Sequence, residues 1–108
     1  MTVLALGVET NYLTLEKSDL EYQDMVCGSE KLMVSTKLSN LAAANANNDS
    51  FDMATNPQAL ALQAFQKMYD SKSASIESQL KVINAEIDGY KKAIDTNVKN
   101  DFKLNISV

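Results

Sequence analysis

The chain has 108 residues, a net charge of −4 and an apolar fraction of 45%. A chain of this length can form one modest core but is too short for two ordinary domains. All ten basic residues are Lys, so the bidentate guanidinium contacts that read phosphates and base edges are missing, and we expect no nucleic-acid binding. With no His and a single Cys, the common zinc sites and the Ser–His and Cys–His nucleophiles cannot be assembled from this chain alone. We therefore expect no enzyme activity, no metal and no cofactor.

The composition favours an all-α fold. Three Gly and one Pro interrupt the chain, whereas an all-β protein of this length would need turn residues every eight to twelve positions or so. Aromatic residues make up only 6%, and the apolar residues are largely Ala, Leu, Val, Ile and Met, which suit packing of helix on helix. We predict an extended helical hairpin in which two long helices are joined by an Asn-rich loop.

The first helix, predicted over residues 10–46, carries two apolar stripes. One recurs every seven residues, at Leu6, Leu13, Leu20, Cys27, Val34 and Leu41. The other has spacings of four or seven, at Leu4, Val8, Leu15, Tyr22, Val26 and Met33. Two stripes on one helix indicate more than one neighbour, and the alternative is one wide face packed inside a monomer. Within the first stripe, Cys27 reads as a small core residue.

The start of this helix is ambiguous. Ser18-Asp19-Leu20-Glu21 fits a capping box, so a helix can begin afresh at Ser18. In that case residues 2–17 form a separate short helix or a flexible leader. The version we favour is one long helix from about residue 10, because no Pro precedes residue 57, and this helix can kink near Ser18.

Residues 47–56 are predicted to form the loop. Asn, Asp and Ser are concentrated here, and their side chains offer the backbone hydrogen bonds that compete with a helix. Phe51 and Met53 either close one end of the helical core or serve as exposed contact residues. Asn56-Pro57 predicts the start of the second helix, since Asn caps a helix and Pro suits its first position.

The second helix, predicted over residues 57–102, contains the clearest pattern in the chain. Apolar residues alternate at spacings of four and three, at Ile76, Leu80, Ile83, Ile87, Tyr90 and Ile94, and this seam is typical of a coiled coil. The beginning of the helix, with Leu60, Phe65, Met68 and Tyr69, resembles a helix in a small bundle. The register slips near Asn97, and residues 103–108 are expected to form a short flexible tail.

The sequence lacks the usual features of a secretory signal peptide and of a membrane span. The apolar stretch from Met1 to Val8 lacks the preceding positive residues and the cleavage site of a secretory signal, and no apolar run approaches the roughly twenty residues that span a bilayer. We expect synthesis in the cytoplasm without a cleavable signal peptide and no membrane span. Export by a specialised secretion route would escape this test.

Two resemblances can be named. Asn56-Pro57, followed by Leu60, Leu62-Gln63, Tyr69, Val82-Ile83, Ile87 and Phe102, resembles the second helix of the needle and inner-rod subunits of bacterial type III secretion systems. This resemblance implies a helical hairpin that assembles into a filament. Leu13-Thr14-Leu15 and the segment from Lys17 to Gln23 are similar to the opening of a group of short, uncharacterised helical proteins from gut bacteria, which implies no function.

Together these observations predict a single helical domain over residues 1–108 with a structural role. We expect a non-enzymatic subunit of a secreted or cell-associated filament, or of a needle-like assembly, whose partner is a second copy or another helical protein. The alternative is a soluble helical adaptor or chaperone-like protein that dimerises through its C-terminal coiled coil. The residues expected to mediate self-association are Ile76, Leu80, Ile83, Ile87, Tyr90, Ile94, Leu13, Leu20, Val34 and Leu41.

Overall fold

The protein is a hairpin of two long α-helices, as a computed structural model describes it for residues 2–107, with side chains described for residues 2–105. Helix α1 spans Val3–Ala44 and helix α2 spans Pro57–Ser107. No strand occurs between residues 2 and 107. The prediction of an all-α helical hairpin is confirmed. None of the described helices is long and apolar enough to cross a membrane.

Helix α1 begins at Val3, earlier than the predicted residue 10, and it runs without a break through Ser18. Thr2 is its cap, because the Thr2 Oγ1 accepts a hydrogen bond from the Ala5 N–H at 3.1 Å. The Gly7 position costs about 1 kcal/mol relative to Ala, but burial of Leu6 and Leu13 beside it outweighs that cost. The alternatives of a fresh helix start at Ser18, and of a separate short helix or a flexible leader over residues 2–17, are therefore wrong.

The loop between the helices is built from Asx turns, as its composition predicts. The Asn48 Oδ1 accepts from the Ser50 N–H at 3.1 Å, and the Asp52 Oδ1 accepts from the Ala54 N–H at 2.9 Å. At the end of α1, the Asn45 side chain donates to the Leu41 carbonyl at 2.9 Å. This hydrogen bond helps to end the helix at Ala44, two residues before the predicted boundary.

The start of α2 matches the prediction residue for residue. Pro57 is its first residue, and the Asn56 Oδ1 accepts from the Ala59 N–H at 3.0 Å. Helix α2 continues beyond residue 102, so residues 103–107 are helical and do not form the predicted tail; Val108 lies outside the described residues. No Gly or Pro follows Gly89, so nothing in this part of the sequence stops the helix.

The packing divides the hairpin into two compact units, and each is described by itself. The loop unit, Tyr22–Glu77, contains the loop and the halves of both helices that adjoin it. Its core centres on Val34, Leu38 and Ala59. Met53 packs against this cluster from the loop, together with Leu41, Leu62 and Tyr69. Met53 therefore closes one end of the core, which is one of the two roles that the sequence allows for it.

The terminal unit consists of residues up to Glu21 and residues from Ser78 onward. Leu6, Leu13 and Leu20 are buried on α1, and Ile83 and Ile87 are buried on α2. Three further seam residues on α2 are half-buried, namely Leu80, Tyr90 and Ile94. In this unit the first apolar stripe of α1 thus packs against the seam of α2.

Candidate association surface

No group of three or more His, Cys, Asp or Glu side chains between residues 2 and 105 is placed to hold a metal ion. Within the same residues, every buried side-chain nitrogen or oxygen has a hydrogen-bond partner. Each helix has a buried side and an exposed side, and both bear on how the chain could associate.

The ten residues predicted to mediate self-association lie inside the hairpin. Ile76, Ile83, Ile87, Leu13, Leu20 and Val34 are buried, and Leu80, Tyr90, Ile94 and Leu41 are half-buried. In each unit the opposite helix of the same chain covers the members that belong to it. Self-association through these residues stays a prediction, and it would require the hairpin to open, because a second copy cannot cover a side chain that is already buried.

The heptad pattern of α2 is longer than the sequence indicated. Half-buried or buried residues continue back from Ile76 through Ser73, Tyr69, Gln66 and Leu62 to Ala59, at the same alternation of four and three. Gln66 and Ser73 occupy core positions although they are polar. Because they are polar, they could not be recognised as core residues from hydrophobic periodicity. The seven-residue spacing of Ala59, Gln66, Ser73 and Leu80 is the pattern that could have indicated them.

Polar residues at the helix interface of the loop unit have partners across it. The Ser73 hydroxyl lies 3.0 Å from the Asp24 carboxylate, and the Gln66 amide donates to the Ser35 hydroxyl at 3.1 Å. Lys31 forms an ion pair with Asp70, and this contact raises the pKa of the Lys31 ammonium. These pairs align α1 against α2, since a one-residue shift would separate them all.

Cys27 and Tyr69 form a further contact across the same interface. Cys27 is 2% exposed, and its thiol donates to the Tyr69 carbonyl at 3.3 Å. The Tyr69 hydroxyl donates in turn to the Glu30 carboxylate, which raises the pKa of the Tyr69 hydroxyl above its usual value. The free thiol is therefore a core residue, as predicted, and it is shielded from reagents in solution.

The second apolar stripe of α1 remains exposed. In the terminal unit, Leu4 is 79% exposed and Leu15 is 71% exposed, and Val8 and Tyr12 lie between them on the same face. We call these four residues the N-terminal outer face. They lie on the side of α1 opposite the stripe of Leu6 and Leu13 that packs against α2, so no other part of the described chain covers them.

The loop unit exposes the continuation of this stripe. The central outer face comprises Tyr22, Met25, Val26, Leu32 and Met33, of which Val26 is the least exposed. Tyr22, Val26 and Met33 belong to the second stripe predicted for α1, but Tyr12, Met25 and Leu32 do not. Their positions in the sequence could have indicated that they extend the stripe. Tyr12 lies one turn after Val8, and Met25 and Leu32 directly precede Val26 and Met33.

Helix α2 exposes apolar residues near its beginning and at its end. Leu60, Phe65 and Met68 are about half exposed, so the predicted bundle-like start contributes only Tyr69 of its four residues to the core. At the other end, Val98, Phe102 and Leu104 are exposed. We call residues 98–105 the C-terminal overhang, because α1 begins at Val3 and Leu6 already lies beside Tyr90 and Ala93.

No protein-family profile, curated protein or solved structure matches this chain. The surfaces described above are therefore interpreted from their own chemistry.

Proposed function

We propose that the protein is a non-enzymatic structural subunit that self-assembles through its exposed apolar faces into a filament or a similar helical assembly. The observation that carries this proposal is the outer side of α1, where the N-terminal and central outer faces place large apolar residues in solvent. Soluble monomers rarely expose contiguous apolar surface of this kind, and such patches usually mark sites of association. Burial of these residues against a neighbouring molecule would therefore lower the free energy of the hairpin.

The two sides of α1 have different roles in this proposal. One side carries Leu6, Leu13, Leu20, Cys27 and Val34, which hold the hairpin together. The opposite side remains available to a neighbour, so the chain can fold and then associate without opening. A helix that is apolar on both sides is typical of one that is covered on both sides.

The resemblance of Asn56-Pro57 and the following residues to needle and inner-rod subunits of type III secretion systems agrees with this proposal. In those subunits the second helix of a hairpin follows an Asn-Pro turn, and in this chain α2 likewise begins at Asn56-Pro57. An adaptor that dimerises through Ile76–Ile94 is less favoured, because the exposed α1 faces would remain uncovered in that dimer.

Sedimentation velocity of the purified protein over a wide range of concentration tests the proposal. We expect species that grow with concentration beyond a small fixed oligomer, because association buries an exposed apolar face. A protein that stays monomeric at high micromolar concentration would overturn the proposal. A fixed dimer at all concentrations would instead support the adaptor.

A pair of matched variants links the result to α1. Val8→Lys with Leu15→Lys places two charges on the N-terminal outer face, and we expect it to reduce association by about tenfold or more. Ser78→Lys with Ala85→Lys adds the same charges at exposed positions of α2 in the same unit and serves as the control. Equal association of both variants would contradict the role given to the α1 face.

A further inference from the structure

We infer that the C-terminal overhang of one copy packs on the N-terminal outer face of a second copy. This inference rests on the proposed function and names its partner: another molecule of the same chain. The contact joins Val98 and Phe102 of the overhang to Leu4, Val8, Tyr12 and Leu15 of the neighbouring α1.

Both surfaces are apolar and uncovered in the chain. Phe102 is 63% exposed, and Val98, one turn before it, lies on the same side of α2. The N-terminal outer face extends from Leu4 to Leu15, or about 16 Å along the helix axis. The overhang of residues 98–105 is about 11 Å long and fits within this length.

The two surfaces lie on segments of opposite charge. The α1 segment that carries the N-terminal outer face, residues 4–21, holds four carboxylates and one lysine, namely Glu9, Glu16, Asp19, Glu21 and Lys17. The overhang holds two lysines and one carboxylate, namely Lys99, Lys103 and Asp101. Complementary charge at the rim of an apolar contact steers association and fixes its orientation.

The occupant has to come from another copy. The N-terminal outer face is on the side of α1 opposite α2, so the overhang of the same chain cannot reach it without opening the hairpin. Each copy carries one surface of each kind, and the two surfaces differ. A contact of this kind is heterologous, and when it repeats from copy to copy it builds an open filament.

Charge reversal tests the contact in the full chain. Glu9→Lys with Glu16→Lys, and separately Lys99→Glu with Lys103→Glu, should each weaken association by about tenfold or more, because like charges then face each other. Equimolar mixing of these two variants should restore association, since the reversed face of one meets the reversed overhang of the other. Asp49→Lys with Glu77→Lys is the control for net charge and should leave association near the wild-type value.

The outcomes separate this inference from the proposed function. If wild-type protein associates but neither reversal weakens it, or mixing restores nothing, the contact is wrong and the proposed function stands. If wild-type protein is monomeric at every concentration, the proposed function fails and the contact fails with it. Circular dichroism of each variant confirms that the hairpin is intact, so a loss of association is not a loss of fold.

Cross-linking gives a second measurement that does not depend on charge. In a Cys27→Ala background, Leu15→Cys and Phe102→Cys proteins are mixed and oxidised. We expect the disulfide-linked pair that contains one chain of each variant to exceed its share in the 1:2:1 ratio that random pairing of equimolar chains gives. A 1:2:1 ratio of the three pairs would overturn the proposed contact.

Discussion

Asn56 positions the first turn of α2 through one side-chain hydrogen bond. Its Oδ1 accepts from the Ala59 N–H, and Ala59 is fully buried at the centre of the loop-unit core. The cap therefore connects the loop to the core, and its loss would fray α2 where Ala59 packs against Val34 and Leu38.

We predict that Asn56→Ala lowers the free energy of unfolding by about 1 kcal/mol, the usual cost of losing an N-cap. Asn47→Ala, at an exposed position of the same loop, is the matched control and should change it by less than about 0.5 kcal/mol. Urea denaturation followed by circular dichroism measures both. Equal effects of the two substitutions would mean that the Asn56 cap does not stabilise the fold.

Tyrosine hydroxyls that donate to carboxylates make the fold sensitive to alkaline pH. Tyr69 donates to Glu30 and Tyr12 donates to Glu16, and in each case the hydrogen bond and the nearby negative charge raise the pKa of the hydroxyl above 10.0. The folded state therefore holds these protons more tightly than the unfolded state does. The resulting stability is present below pH 10.0 and is lost as the pH rises through the folded-state pKa values.

We predict that the free energy of unfolding falls as the pH is raised above 10.0, and that Glu30→Gln returns the pKa of Tyr69 toward its usual value. Absorbance of tyrosinate during a pH titration of the folded protein measures the second effect, with Tyr69→Phe identifying the contribution of Tyr69. An unchanged titration curve in Glu30→Gln would show that the hydrogen bond does not hold the proton.

At the scale of elements, α2 packs on α1 with heptad-like spacing in each of the two units, and only part of this spacing could be read from the sequence. The section from Ile76 to Ile94 could be predicted because its core residues are apolar and follow a regular spacing. Gln66 and Ser73 could not, because a polar residue at a core position looks the same in sequence as one on the surface. Their place in the interface depends on partners on α1, and pairing between helices cannot be read from one helix.

The two stripes of α1 show a related limit. Periodicity correctly predicted two apolar faces, but it could not decide which one α2 would cover. The first stripe keeps a strict seven-residue spacing from Leu6 to Leu41, whereas the spacing of the second varies between four and seven. Polar residues lie between the members of both stripes, so the sequence of α1 alone does not determine which stripe is buried.

The seam predicts a sharp contrast between neighbouring residues of α2. Ile83 is buried, whereas Val82 is 57% exposed. Ile83→Ala should lower the free energy of unfolding by about 2–5 kcal/mol through lost burial and a cavity. Val82→Ala should lower it by less than about 0.5 kcal/mol. If denaturation curves gave similar losses for both, the assignment of Ile83 to the core of the hairpin would be wrong.

For the whole molecule, the first stripe of α1 is buried and the outer side of α1 stays exposed. In the proposed assembly, a neighbouring copy covers the N-terminal outer face. Binding of this kind favours the folded hairpin over the unfolded chain, so assembly and stability are coupled.

This coupling predicts that thermal stability depends on protein concentration. Association that requires the folded hairpin stabilises it by mass action, and above the dissociation constant a hundredfold increase in concentration adds about 2.7 kcal/mol. The Tm of wild-type protein should therefore rise by about 10 °C over that range. Val8→Lys with Leu15→Lys should make the Tm independent of concentration, while Ser78→Lys with Ala85→Lys should retain the dependence. Differential scanning calorimetry at matched concentrations measures all three proteins. A wild-type Tm that does not change with concentration would mean that the outer side of α1 contributes nothing to the stability of the fold.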